Sequence, residues 1–249
     1  MSAGGAWYAR SGGKVRELYT IMHLPYTSMV LSYTLIGAAL APSVYPSRVI
    51  LTLVAYFLGL GLSAHALNEL YARHWGAALS KSELQLLFAV PLIGAILIGL
   101  YATMTLYASS GTLFASLVLL LFIALETLFV FLYNADFSGG RFHSDLAFAF
   151  SWAALPTLIG YYVNAMTITA VAILMSIAMA ATAGIEINLS RWCKDFRRRS
   201  PLTKIRFADS TELDLSTTEL IAKPEKSLKL IVVVVDLVAI GLILHKLLP

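Results

Sequence analysis

The chain is short of charge and nearly devoid of cysteine. Only 13% of its 249 residues are Asp, Glu, Lys or Arg, against about 25% in ordinary soluble domains. Cys193 is the single cysteine, which excludes an intramolecular disulfide and a zinc site built from clustered cysteines. No internal repeat or low-complexity tract is seen. Residues 1 to 20, MSAGGAWYARSGGKVRELYT, hold no apolar core of the kind a cleavable signal peptide needs, so the first span is expected to direct insertion.

What the chain does have is hydrocarbon. It is 59% hydrophobic with a mean hydropathy of +0.78, and apolar stretches of about 18 or more residues recur along it, each long enough to cross about 30 Å of lipid as a helix. The expectation is an all-α fold: one polytopic membrane domain over residues 1–249. Its seven transmembrane helices are placed near 22–41, 49–70, 84–106, 112–134, 145–164, 166–188 and 228–248. Pro42 and Pro46 mark the first turn, because proline removes a backbone donor and stops helices. The fifth and sixth spans are parted only by "NAMT", a tight hairpin. The longest connection, about 190–227, is read as a cytoplasmic loop, in which Ser216 and Glu219 have capping-box spacing for a short surface helix.

Of the 18 Lys and Arg residues, all but Arg48 and Lys246 fall on one side of this topology. The positive-inside rule makes that side cytoplasmic, together with the amino terminus and the basic loops, and seven spans put the carboxyl terminus outside. Anionic membrane lipids then account for the pI of about 9.1 without any nucleic acid. Tyr and Trp at span ends (Trp7, Tyr8, Trp75, Trp152, Tyr161, Tyr162) read most simply as interfacial belts.

Polar groups within or at the end of spans are costly in lipid and usually face a protein interior or a water-filled cavity. They are His65, Asn68, Glu69, Glu126, Asn134, Asp136, Asp145, Glu186, Asn188 and Asp236. His65 and His74 lie on opposite sides of a helix, so one metal or haem cannot easily take both, and His65 reads as a hydrogen-bonded bundle residue. Glu126 should be protonated or paired, with a structural and a substrate-facing role both open. Asp236 should contact another helix or a partner subunit.

Two polar groups flank the basic surface. Asn68, Ala72 and Gly76 share one helical face beside Glu69, and Glu186, Asn188, Arg191, Lys194 and Asp195 close the sixth span. Together they could hold a diphosphate, through cations on carboxylates or directly on Arg and Lys. Ordinary helix ends meeting headgroups would look the same.

The arrangement resembles the UbiA-type superfamily of intramembrane prenyltransferases. That family's signature Asn-Asp-x-x-Asp-x-x-x-Asp after its second helix is matched by Asn68-Glu69-x-x-Ala72-x-x-x-Gly76, with one acid conserved as Glu and two absent. Its second Asp-rich signature, after the sixth helix, is matched in "WCKDFRRRSPLTK" by Lys194 and Asp195, with Arg198 standing where an acid is expected. The link "YNADFSGGRFHSDLAFAFSWAALPTLIGYYV" is similar to the family's entry into its fifth helix. The resemblance covers roughly residues 15–205, and the family's nine spans exceed the seven counted here.

The resemblance implies transfer of an isoprenyl group from an isoprenyl diphosphate to an acceptor, with Asn68, Glu69, Lys194, Asp195 and Arg198 holding the substrate. Mg²⁺ on Glu69 and Asp195 would offset the leaving group's charge. Arg197, Arg198 and Arg199 with Lys194 could instead bind a diphosphate, or another lipid phosphate, without metal. The alternative is a non-catalytic relative: a lipid- or quinone-binding subunit, or a scaffold for other membrane-protein subunits.

Overall fold

The computed structural model describes residues 6–10, 12–72, 78–135, 141–199 and 203–248. A short helix α1 (Lys14–Ile21) leads into α2 (Leu24–Leu40). Helix α3 runs as one rod in three stretches, α-helical Pro46–Tyr56, π-helical Phe57–Ala64 and α-helical His65–Ala72. Then come α4 (Lys81–Ser110), α5 (Leu113–Asn134), α6 (Asp145–Ala165, with a π-helical turn over Phe150–Ala154) and α7 (Ala170–Arg199). A hairpin of β1 (Thr203–Arg206) and β2 (Glu212–Leu215) precedes α8 (Thr217–Leu247).

Local chemistry sets several of these limits. Ser80 and Glu83 form a reciprocal capping box that starts α4, and Gly111, with φ +65°, closes it in the left-handed conformation that glycine adopts without a steric penalty. Ser216 and Glu219 do the same for α8. That box opens a 31-residue helix that continues through Pro224 into the last span, not the short surface helix expected. Likewise, most of the segment expected as a loop over 190–227 is ordered, as the end of α7, the antiparallel hairpin and the start of α8.

Among the described residues six helices, α3 to α8, are long and apolar enough to cross a membrane. The chain is thus an all-α, multi-pass membrane protein in its framework, but the first of the seven expected spans, α2, has only 17 residues. It is the central helix, flanked by α6 and α8, and has buried residues on every side. A helix apolar all round and sheathed by others is positioned by packing instead of by lipid thickness. The outer helices meet lipid instead, with exposed residues such as Val90, Leu97, Leu121, Leu174 and Val234.

Small residues make the centre possible. A Cβ at Gly37 would lie 1.9 Å from the carbonyl oxygen of Thr157, and one at Gly160 would lie 2.1 Å from that of Thr34. The backbones of α2 and α6 touch here, the close approach by which helices associate when no hydrophobic drive separates protein from lipid. On its other side α2 is tied to α8 by polar bonds. Ser28 Oγ donates to Asp236 Oδ2 at 2.9 Å and Ser32 Oγ to Asp236 Oδ1 at 2.7 Å. The contact expected of Asp236 is therefore made within the chain.

The aromatic belt expected at the span ends is not what most of those residues form. Tyr8, Trp152, Tyr161 and Tyr162 are all buried inside the bundle. Tyr162 donates to the carbonyl of Ala115 at 2.9 Å, so its hydroxyl is satisfied by protein. Trp75 lies outside the described residues, as do Arg73, His74, Gly76 and Asp136.

Candidate functional site: a polar cavity at the basic end

Both π-helical stretches lead to one place. Such widened turns rotate the following side chains relative to an ideal helix and often mark functional positions. The first delivers His65 and Asn68, and the second carries Trp152. Both border a cavity of about 230 Å³ whose wall also includes Tyr26 from α2, Asn134 from α5, and Glu186, Lys194, Asp195 and Arg198 from α7. On α7 the lining residues recur every three or four positions (Ile187, Arg191, Lys194 with Asp195, Arg198), which is one face of a helix.

Four of the five residues that the resemblance selects, Asn68, Lys194, Asp195 and Arg198, thus share one cavity. Glu69 does not line it. Its side chain is 1% exposed and turns away from Asn68, as neighbours on a helix must. The carboxylates on the wall are Asp195 and Glu186.

The charges are not equivalent. Arg191 pairs with Asp145 and donates to the carbonyl of His143 at 3.2 Å, so it is committed to holding α6 and the preceding link. Arg197 pairs with Glu225 on α8, and Glu225 also takes Lys229 at 2.6 Å. Arg198 forms no ion pair among the described residues. Lys194 Nζ sits 5.9 Å from the centre of the Tyr26 ring, and Tyr26 in turn donates to Ser190 Oγ at 3.0 Å.

Aromatic and imidazole rings make up the rest of the wall. His23 and His65 have ring centroids 4.1 Å apart, and His65 lies 4.9 Å from Trp152. His143 stacks on Tyr133 at 4.5 Å. His65 was expected to be hydrogen-bonded within the bundle, but its Nε2 is buried without a hydrogen-bond partner among the described residues. Tyr8 closes on the cluster from the amino-terminal segment, 5.4 Å from both His23 and Tyr26. Burial raises the Tyr8 phenol well above its usual range, so it stays neutral.

His23, Tyr26 and His143 escaped sequence reasoning. His23 sits at the start of α2 in a left-handed backbone conformation, φ 46°, where a non-glycine residue is strained. Nothing in the pattern around either histidine distinguishes it from a surface residue.

For Mg²⁺, the fit is thin. Among the described residues no group of three His, Cys, Asp or Glu side chains is placed to hold an ion. The two carboxylates expected to share the metal, Glu69 and Asp195, do not both line the cavity. Positive charge on the wall comes from Lys194, Arg198 and Arg191.

Glu126 lies elsewhere, in the middle of α5. Tyr56 Oη donates to its Oε1 at 2.8 Å, while Oε2 is buried without a partner among the described residues. One interhelical hydrogen bond of this kind is worth about 0.6–1.7 kcal/mol in a membrane. Placing an acidic side chain at the centre of a span costs about 2.5–3.5 kcal/mol. The Tyr56 bond alone does not offset that cost.

Compared with models of protein families, with characterised proteins and with solved structures, the chain matches none.

Proposed function

We propose that this chain is a UbiA-like membrane prenyltransferase that binds an isoprenyl diphosphate in the polar cavity and transfers its isoprenyl group to an acceptor. The observation that carries this reading is the convergence of Asn68 with Lys194, Asp195 and Arg198, far apart in sequence, on one wall. In this reading the basic end faces the cytoplasm. Charge-assisted bonds from Lys194 and Arg198 hold the diphosphate and stabilise the charge that grows on it as the allylic C–O bond breaks. Asn68 donates to a phosphate oxygen.

At about 230 Å³ the cavity falls below the roughly 300–1,000 Å³ of sites that enclose a whole small molecule. It suits the headgroup, with the isoprenyl chain running between helices or into lipid. The absence of Glu69 from the wall favours a second reading, a non-catalytic lipid-binding subunit or scaffold on the same frame.

Binding of geranylgeranyl diphosphate to the purified protein, with Mg²⁺ and with EDTA, tests the proposal. Binding should survive EDTA and weaken roughly tenfold or more in Lys194→Gln and in Arg198→Gln, the loss of one charge-assisted bond. Binding that needs Mg²⁺ and disappears in Asp195→Ala and Glu69→Ala would replace the cationic site by a metal site. No binding under either condition would remove the transferase reading and leave the scaffold.

A further inference from the structure

A second cavity, sharing no residue with the first, lies within the membrane-spanning part between α3, α4, α5 and α6. Its volume is about 100 Å³. It exists because small residues face it from two helices, Ala55 and Gly59 from α3 and Ala95 and Gly99 from α4. The walls are almost wholly apolar, and the exceptions that matter are Tyr56 and Glu126.

These two groups are arranged asymmetrically. Tyr56 satisfies Oε1 of Glu126, whereas Oε2 is buried and has no partner among the described residues. An uncompensated carboxylate is too costly in hydrocarbon, so the group stands there as the acid. With Tyr56 donating to Oε1, the proton belongs on Oε2, where it is an unused hydrogen-bond donor on a residue that borders the apolar slot.

We infer that this slot binds the head of a neutral lipid that carries a hydrogen-bond-accepting oxygen, with Glu126 Oε2 donating to that oxygen. A slot of this size accommodates less than a benzene ring, which occupies a cavity of about 150 Å³. The ligand therefore enters only by its head, and its tail lies among the lipid chains. The hydroxyl of a prenyl alcohol and the carbonyl of a quinone share this chemistry. A charged diphosphate does not, which separates this site from the polar cavity.

The test is infrared difference spectroscopy of the protein in nanodiscs, following the band of the protonated carboxyl on adding geranylgeraniol or decylubiquinone. The band should move to lower frequency with at least one of them. The response should vanish in Glu126→Gln, which has no carboxyl, and in Ala95→Leu, which fills the slot and leaves the acid in place. A response to the alcohol alone or the quinone alone identifies the class of head. No shift with either ligand, or a shift that persists in Ala95→Leu folded to the wild-type Tm, would overturn the inference. If Ala95→Leu does not fold, Gly59→Leu serves the same purpose from α3.

Discussion

Replacing Gly160 by alanine places a methyl group at the tightest crossing in the bundle. An ideal Cβ there lies 2.1 Å from the carbonyl oxygen of Thr34, while ordinary contact begins at 3.4 Å. The difference, 3.4 − 2.1 = 1.3 Å, is the distance by which α2 and α6 must part locally. The obstructing atoms are backbone, so no rotamer change relieves the clash. A gap of only 0.5–1 Å forfeits about a quarter to a half of the dispersion energy of the atoms facing it, and packing is the main force between helices in lipid. The penalty should therefore lie near the upper end of the roughly 1–3 kcal/mol typical of overpacking. For a chain of this length that is a fall in Tm of roughly 5–10 °C, measured by thermal unfolding in detergent. Gly184→Ala is the control, since an added Cβ there meets nothing within 4 Å. The pair Gly37→Ala with Gly160→Ala should cost less than the sum of the two, because helices already parted leave room for the second methyl. If Gly160→Ala melts with Gly184→Ala, the backbone contact is not what holds α2 in place.

Asp236→Leu removes two acceptors, leaving the hydroxyl of Ser32 without its partner and that of Ser28 with only the carbonyl of Pro25; a loss of about 1–3 kcal/mol is expected, with Asp236→Asn milder because its amide oxygen still accepts, and Tm in detergent checks both. Ser80→Ala deletes the cap of α4 and should cost about 1 kcal/mol, read in the same melts. Glu17 Oε2 accepts from the backbone amides of Ala78 and Leu79 at 2.6 and 3.3 Å. In Glu17→Ala, hydrogen exchange at those two amides should accelerate with little change at Leu84, and unchanged exchange would show that this carboxylate does not hold the entry to α4.

Much of the frame was legible along the chain because it rests on local properties. Runs of apolar side chains long enough to cross lipid can fold there only as helices, since every backbone donor and acceptor must be satisfied within the segment. The capping box at Ser216 is equally local, being read from residues three positions apart, and the one at Ser80 has the same spacing but went unread. Where reading failed, a local signal was overruled at a distance. Ser216 and Glu219 signal a helix start and nothing about its length. Tyr161 and Tyr162 carry the chemistry of a belt residue, but burial against neighbouring helices decides where they sit.

The candidate site divides along the same line. Asn68, Lys194 and Asp195 stood out as polar groups at the ends of apolar spans, which are few, and the resemblance to the UbiA-type family added Arg198 and tied them to one ligand. Their meeting in one cavity was not legible, since it depends on how the ends of α3 and α7 are brought together across the bundle. Two π-helical stretches and the Gly37–Gly160 crossing set that geometry, together with histidines that no pattern flagged. The sequence by itself determined that this chain lies in a membrane as a helical bundle with one basic end, because hydrophobicity and charge act residue by residue. Tertiary structure alone decided that Glu69 lies off the cavity wall that Asp195 lines, that Asp236 serves α2, and that Glu126 keeps one oxygen without a partner among the described residues. The last two depend on partners 70 or more residues distant in sequence.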